Sequence, residues 1–452
     1  MLTKRLKNLV NRLISPEQNG LKRIPASDHQ IERRRVSHNA IKVCEVLQQH
    51  GYQAYVVGGA VRDLLIGLEP KDFDVATNAT PEQIQPLFRR ARIIGRRFRL
   101  VHVVFGREII ETSTFRAPST QEHLTDDHGR ILRDNVFGSQ QQDAERRDLT
   151  INALYYDPVT EQVLDFHRGV QDLQNRVVRM IGDAAVRYRE DPVRMLRAVR
   201  FAIKLKGKID PKTRAPIAQH AQLIENVPAA RLFDEMLKLL TCGDAMRCLK
   251  LLREHGLHRG VLPLVDLILD EPANQAFVEV ALERTDARVR AGKTVSPSFL
   301  FAALLWPEVK RSWERLHQAG EHIAAALISA ADQVLNKHAE PLGITRRHVS
   351  DIREIWFMQP RFERRTPKAI HRLFEQPRFR AGVEFLQLRA ACSEFDSVVA
   401  QWWMDLADAN DSDRAQMLQA VQETANSEPA ERKRRRPRRR KPRVPDTTAS
   451  DT

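Results

Sequence analysis

Tyr55-Val56-Val57-Gly58-Gly59-Ala60-Val61-Arg62-Asp63, followed by Asp72-Phe73-Asp74-Val75 and then by Ile109-Ile110-Glu111, decides how this chain folds. A β-branched and aromatic run that meets a Gly-Gly pair predicts a strand ending in a tight turn. On a strand alternate side chains share a face, so residues 72–75 are expected to turn Asp72 and Asp74 one way and Phe73 and Val75 to the apolar side. Residues 109–115 read as a further strand that can pair beside them and bring Glu111 alongside.

Hard cations such as Mg2+ prefer carboxylate oxygens, and two ions about 3.5–4 Å apart can clamp both the attacking and the leaving oxygen of an in-line displacement. Asp72, Asp74 and Glu111 are therefore candidate metal ligands and catalytic residues, Glu111 bridging metal or activating a hydroxyl. Gly58 and Gly59 let backbone N–H groups approach a polyphosphate at the start of a helix, and Arg62 is expected to face it. Alone, Asp-x-Asp is common on solvated turns and also marks sugar-nucleotide glycosyltransferases. The ordered set of strand, Gly-Gly, Arg, Asp-x-Asp, strand and Glu is far more specific.

Further elements continue the pattern: Asp143-Ala144-Glu145-Arg146-Arg147-Asp148-Leu149, Asp165-Phe166-His167-Arg168-Gly169, Arg189-Glu190-Asp191-Pro192-Val193-Arg194-Met195-Leu196-Arg197, and Arg231-Leu232-Phe233-Asp234-Glu235 with Lys238. Together they resemble the class II nucleotidyltransferase family of bacterial poly(A) polymerases and CCA-adding tRNA nucleotidyltransferases. The resemblance runs from roughly residue 25 to 395. It implies that Arg147 and Asp148 support the ribose and triphosphate, and that Asp191 and Arg194 read the base. Independently, Val193, Leu196, Val199 and Ile203 recur at helical spacing after Pro192. The plain alternative for Glu190, Arg197 and Arg200 is a solvated salt-bridge face.

Ile93-Ile94-Gly95-Arg96-Arg97-Phe98-Arg99 is similar to the poly(A) polymerase branch, and so are Trp356-Phe357-Met358-Gln359-Pro360-Arg361-Phe362-Glu363-Arg364-Arg365 and Pro377-Arg378-Phe379. Arg96, Arg97, Arg361, Arg364 and Arg365 are candidate RNA contacts, with Phe362, Phe374 and Phe379 interleaved for base stacking. A helical scaffold with solvated arginines is the alternative reading. The resemblance implies AMP transfer from ATP to RNA 3′-hydroxyl ends with two Mg2+ ions. RNA 3′ ends are then the partner, RNA-decay or RNA-chaperone proteins are candidate helpers, and the chain is expected to be a monomer. CCA addition to tRNA and noncatalytic RNA binding are the alternatives.

The expected fold is α+β: an N-terminal helical extension (1–50), a mixed-sheet catalytic head (51–157), a helical neck (158–285), a helical body (286–425) and a disordered basic tail (426–452). With 452 residues there is ample chain for several cores. Residues 431–445 hold ten Lys or Arg against one Glu, which is +9 of the net +15. That arm is expected to add salt-sensitive attraction to RNA. Residues 117–142 read as a mobile loop. Leu2, Leu6, Leu9, Val10, Leu13 and Ile14 form a short apolar stripe, suited to docking on the protein. Cys44, Cys242, Cys248 and Cys392 form no Cys-x-x-Cys motif and are expected to be reduced structural thiols. The longest apolar run, residues 299–306, stops at Pro307, too short to cross a bilayer, so a cytoplasmic location without membrane insertion is expected.

Overall fold

The computed structural model describes residues 20–95, 99–117, 136–261 and 265–427. The N-terminal apolar stripe, Arg96 and Arg97, residues 118–135 of the expected loop and the basic tail lie outside the described residues. Eight strands form one sheet: β1 (Lys22–Ile24), β2 (Ala54–Val57), β3 (Asp74–Thr77), β4 (Ala91–Ile94), β5 (Leu100–Phe105), β6 (Glu108–Thr114), β7 (Leu154–Asp157) and β8 (Gln162–Asp165), in spatial order β1-β8-β7-β2-β3-β6-β5-β4. Only the β3–β6 pair is parallel, so the sheet is mixed. Helix α1 (His38–Gln49) packs against β2, β3 and β6 through a face including Ala40, Val43, Cys44 and Leu47. Helix α2 (Gly59–Leu65) follows β2 directly and packs on β2 and β7.

Val56 lies opposite Val75, and Val57 opposite both Asp74 and Tyr155. Register partners share a face, so Asp74 belongs to the side that carries Val57 and Tyr155. On that side a cluster of Val57, Ala76, Phe115, Ala144, Tyr155 and Leu164 forms the core behind the site. The strand is shorter than the sequence suggests. By the same register Asp72 would face Gly59, which has already turned into α2, so Asp72 has no ladder partner and stands in the turn before β3.

The expected loop also ends early. Helix α3 (Gln140–Arg146) begins there because Ser139 and Gln142 form a reciprocal capping box, at 3.2 and 2.8 Å.

Beyond the sheet the described chain is mostly helical, with a short parallel ladder of β9 (Val177–Val178) and β10 (Lys208–Ile209). Helices α4 (Ala184–Glu190) and α5 (Val193–Lys204) flank Asp191 and Pro192, and α6 (Ala229–Leu240) and α7 (Ala245–Glu254) both pack on α5. Val193, Leu196, Val199 and Ile203 are all buried, each contributing about 1.5–3 kcal/mol. Helix Pro297–Gln318 contains the long apolar run and continues through Pro307, which is buried within it. Among the described residues no helix is long and apolar enough to cross a membrane.

The chain divides into two compact units between Trp356 and Phe357. In the second unit Met358, Phe362, Ile370, Leu373, Phe379, Val383, Leu386 and Trp403 form a core, and the Trp403 indole donates to the Phe362 carbonyl at 2.9 Å. Phe362 and Phe379 are thus core residues with no face left for a base, because the helices here need large apolar groups at these positions to close. Phe374, packed beside them, is half-buried.

Candidate active site

The end of β2 sets the site. Gly58 has φ +74°, a conformation open to glycine, and its N–H donates to the Leu154 carbonyl at 3.0 Å. A Cβ there would sit 3.4 Å from the Arg147 guanidinium. Gly58→Ala therefore strains the turn by at least about 1 kcal/mol. A melting temperature lower by a few degrees is expected from thermal denaturation of this variant.

Asp74 of β3 lies opposite Glu111 of β6 and, on its other side, opposite Val57, the residue just before Gly58. Asp74 reaches solvent, yet it is hemmed in by protein. Burial pushes its carboxyl up to about 6, Glu111 and Asp72 add to this, and Arg147 opposes it. Glu111 is exposed and meets His102 Nε2 at 3.3 Å. Crowded carboxylates of this kind suit a hard divalent cation.

Arg147 is held from behind. Its guanidinium donates to Asp143 at 2.9 and 3.1 Å, and the Tyr155 hydroxyl donates to the same Asp143 oxygen at 2.7 Å. Burial works against the charge on Asp143, but Arg147, Arg146 and Tyr155 hold its carboxyl below the usual range. Asp148 accepts from Arg197 at 2.5 Å, from the Leu149 N–H at 2.8 Å and from Asn152 at 3.2 Å. Burial again opposes, and Arg197 with these donors holds Asp148 well below the carboxylate range. Arg62, 5 % exposed, donates to Asn152 at 2.6 Å and to Asp63 at 2.9 Å. Lys204 of α5 grips both oxygens of Asp63, at 2.8 and 2.9 Å, and so ties α5 to α2.

The guanidinium carbons of Arg62, Arg197 and Arg200 lie 4.6, 5.6 and 4.4 Å from the centre of the Phe201 ring. Such contacts steady a cation without neutralising it. These groups enclose a cleft of about 310 Å³ lined by Gly58, Gly59, Arg62, Asp74, Arg147, Asp148, Asn152, Arg197 and Phe201. Three guanidinium groups, of Arg62, Arg147 and Arg197, share the lining with two carboxylates, Asp74 and the Arg197-paired Asp148. That is the charge pattern of a site for a metal-bound polyphosphate.

Six predicted residues meet in this cleft: Gly58, Gly59, Arg62, Asp74, Arg147 and Asp148. Asp72 and Glu111 stand beside Asp74 but do not line it. Asp191 and Arg194 lie one turn away with separate partners: Asp191 accepts from Arg231 at 2.7 Å, and Arg194 donates to Glu190 at 2.8 Å. Asn152, Arg197 and Phe201 complete the lining, although the sequence named none of them as a candidate site residue. Arg194, Arg197 and Phe201 are spaced by three and four, so helical spacing carries the signal. The salt-bridge residues are not a solvated face. Arg197 is ion-paired in the cleft, and Arg200, 14 % exposed at its side chain, approaches Glu235 at 3.6 Å, because α6 packs over this side of α5.

In the second unit Arg364 and Arg365 are exposed and Arg361 is half-buried, with the Arg365 guanidinium 5.6 Å from the Trp402 ring. Burial and the neighbouring Arg372 lower the pKa of Arg361, as expected where cations gather.

Comparison with known proteins follows the same outline. Residues 54–179 match the poly A polymerase head domain, 208–269 the "Probable RNA and SrmB- binding site of polymerase A", and 319–441 the polymerase A arginine-rich C-terminus. Poly(A) polymerase I of Haemophilus influenzae is 43% identical over 412 residues, 88% of this chain and 91% of the relative. A CCA-adding enzyme of Bacillus licheniformis is 36% identical over 220 residues, 49% of this chain and 54% of its own. A solved tRNA-processing enzyme in apo form shares the fold at TM-score 0.57 and 20% identity, covering 86% of this chain and 99% of that one. Likeness to the CCA-adding enzyme stops near half the chain, whereas likeness to the poly(A) polymerase extends through both compact units, and the chain belongs to the bacterial poly(A) polymerase branch of the class II nucleotidyltransferases.

Proposed function

We propose that this cleft transfers AMP from ATP to RNA 3′-hydroxyl ends, releasing pyrophosphate. The observation that carries the reading is the cleft in which Gly58, Gly59, Arg62, Arg147 and Arg197 meet Asp74, whose strand partner is Glu111. The backbone of Gly58 and Gly59 and the guanidinium groups of Arg62 and Arg147 hold the triphosphate, and Asp148, fixed by Arg197 and Asn152, supports the ribose. Asp191 offers an acceptor and Arg194 a donor fork to the adenine edge, steadied by Arg231 and Glu190.

Asp72, Asp74 and Glu111 form an oxygen donor set that fits two Mg2+ ions. Among the described residues no three His, Cys, Asp or Glu are grouped so that they could hold a metal ion by themselves. Mg2+ here would therefore need water and substrate phosphates to complete its shell, as it commonly does when held by one or two carboxylates. Bound there, the ions would neutralise charge on the triphosphate and lower the pKa of the attacking hydroxyl. Glu111, open to solvent beside His102, is placed to receive the proton of the 3′-hydroxyl.

Arg361, Arg364 and Arg365 of the second unit, and Arg96 and Arg97, are the candidate cations for the RNA backbone. These contacts position the backbone without reading sequence.

A denaturing-gel extension assay on generic RNA, with each nucleotide supplied separately, is the direct test. A long ladder with ATP is expected. Addition restricted to C, C and A on tRNA lacking its end would move the chain to CCA synthesis. Metal dependence carries a pH signature as well. Asp74 titrates near 6 in the metal-free protein, so a cation must displace a proton below that pH. The apparent Mg2+ affinity is expected to fall by up to about tenfold per unit below pH 6 and to level off above it. Magnesium titrations of turnover at several pH values read this directly.

A further inference from the structure

Two sulfurs that nucleotide transfer does not use meet between α6 and α7. Cys242 sits in the turn after Leu240, and Cys248 stands near the start of α7. Gly243, at φ +101°, folds that turn back so that the two Sγ atoms come within 3.0 Å. A disulfide has its sulfurs about 2.0 Å apart, so a movement of about 1 Å separates these thiols from a bond.

Their surroundings differ in the way a reactive thiol and a resolving thiol differ. Cys242 is half-buried, whereas Cys248 has no solvent exposure. Either sulfur can donate across this contact; with Cys248 as donor and the Asp244 backbone N–H beside it, the Cys242 pKa is lowered even though burial opposes it. The same bond and its own burial push Cys248 up. The carboxylates of Asp286 and Asp244 disfavour a thiolate on either sulfur and so moderate the pair at rest. Asp286 is fixed by accepting from the Ala245 N–H at 3.0 Å. Cys44 is fully buried, and burial drives its thiol far up, so it is inert by comparison.

We propose that Cys242 and Cys248 are an oxidative modification site, which hydrogen peroxide or a related hydroperoxide closes to an intramolecular disulfide. In the first step the Cys242 thiolate attacks a peroxide oxygen: an S–O bond forms, the O–O bond breaks, and the hydroxide that leaves takes a proton to become water. In the second, Cys248 sulfur attacks the Cys242 sulfenic acid: the S–S bond forms, the S–O bond breaks, and the Cys248 proton joins the departing hydroxide as a second water. Two electrons pass from the sulfurs to the peroxide. The pairing holds the α6–α7 turn closed and spares Cys242 from irreversible oxidation.

The test uses the full chain, graded hydrogen peroxide, alkylation of the remaining thiols and tryptic mass mapping. Trypsin cleaves after Lys238, Arg247 and Lys250, so the two cysteines fall on separate peptides, 239–247 and 248–250. Their recovery as one cross-linked species, lighter by two hydrogens and separated by dithiothreitol, at doses that leave Cys44 alkylated, is the expected result. In Cys248→Ser the expected product is a Cys242 sulfenic acid trapped by a 1,3-dione. The proposal is overturned if both peptides stay alkylated while the Cys392 peptide oxidises, or if Cys242 passes to the sulfinic acid in the parent chain without cross-linking. Neither readout depends on nucleotide transfer.

Discussion

Asp74→Asn is expected to lower kcat/KM for AMP addition by about a thousandfold or more while RNA retention in a gel-shift assay stays within about twofold. The magnitude follows from losing several kcal/mol of charge stabilisation at the reacting phosphate, at about 1.4 kcal/mol per factor of ten. Retention survives because the RNA contacts are assigned to arginines elsewhere. The sign of the stability change separates this from misfolding. Asp74 is raised from 3.8 to about 6 in the fold. Keeping it ionised therefore works against folding, increasingly as pH climbs from 3.8 through 6 and fully above that. Asn removes this charge, so the metal-free variant should melt at or above the parent temperature at pH 7. A variant that loses turnover, RNA retention and thermal stability together would refute the metal-ligand role.

Asp148→Ala is expected to do the opposite to stability. It leaves Arg197 in the cleft without its carboxylate and Asn152 without an acceptor. Breaking a buried pair from one side costs about 3–5 kcal/mol, and the low end applies because Arg197 keeps 29% of its side chain exposed. Denaturant melts should show that loss at neutral pH. The folded pKa of Asp148 is depressed, so its contribution is complete above the ordinary value of 3.8 and fades as pH falls toward the folded pKa. Parent and variant curves should therefore converge in acid. Turnover should fall as well, and Asp148→Asn, which retains an acceptor for Asn152 but not the charge, should lie between the two.

Much of this was legible in the residues alone. The strand before Gly58 and the helix from Val193 follow from short-range periodicity and turn chemistry, and Glu111 comes to Asp74 because two apolar strands of compatible length pair. What escaped depends on contacts between distant elements. Asp72 falls outside its strand because of where α2 starts on a neighbouring strand. Arg197 and Arg200 look like surface charge until α5 is placed beside α2 and α6 over its flank. Phe362 and Phe379 resemble stacking residues because aromatic rings interleaved with arginines suit both RNA and a helical core. Only the packing around Trp403 decides it. Cys242 and Cys248, six apart, carry no recognised spacing and meet through the backbone of Gly243.

The outer strand β1 has a consequence for synthesis of the protein. Lys22 pairs with Asp165, and β7, which flanks β2 directly, ends only at Asp157. A ribosome that has made the segment through Glu111 has therefore produced the carboxylates proposed to hold metal but not the strands that complete the sheet around them. Long-range pairing of this kind forms late, after the intervening chain has emerged. Chains that stop before residue 154 lack β7 and β8, and so are expected to add no nucleotide in the extension assay.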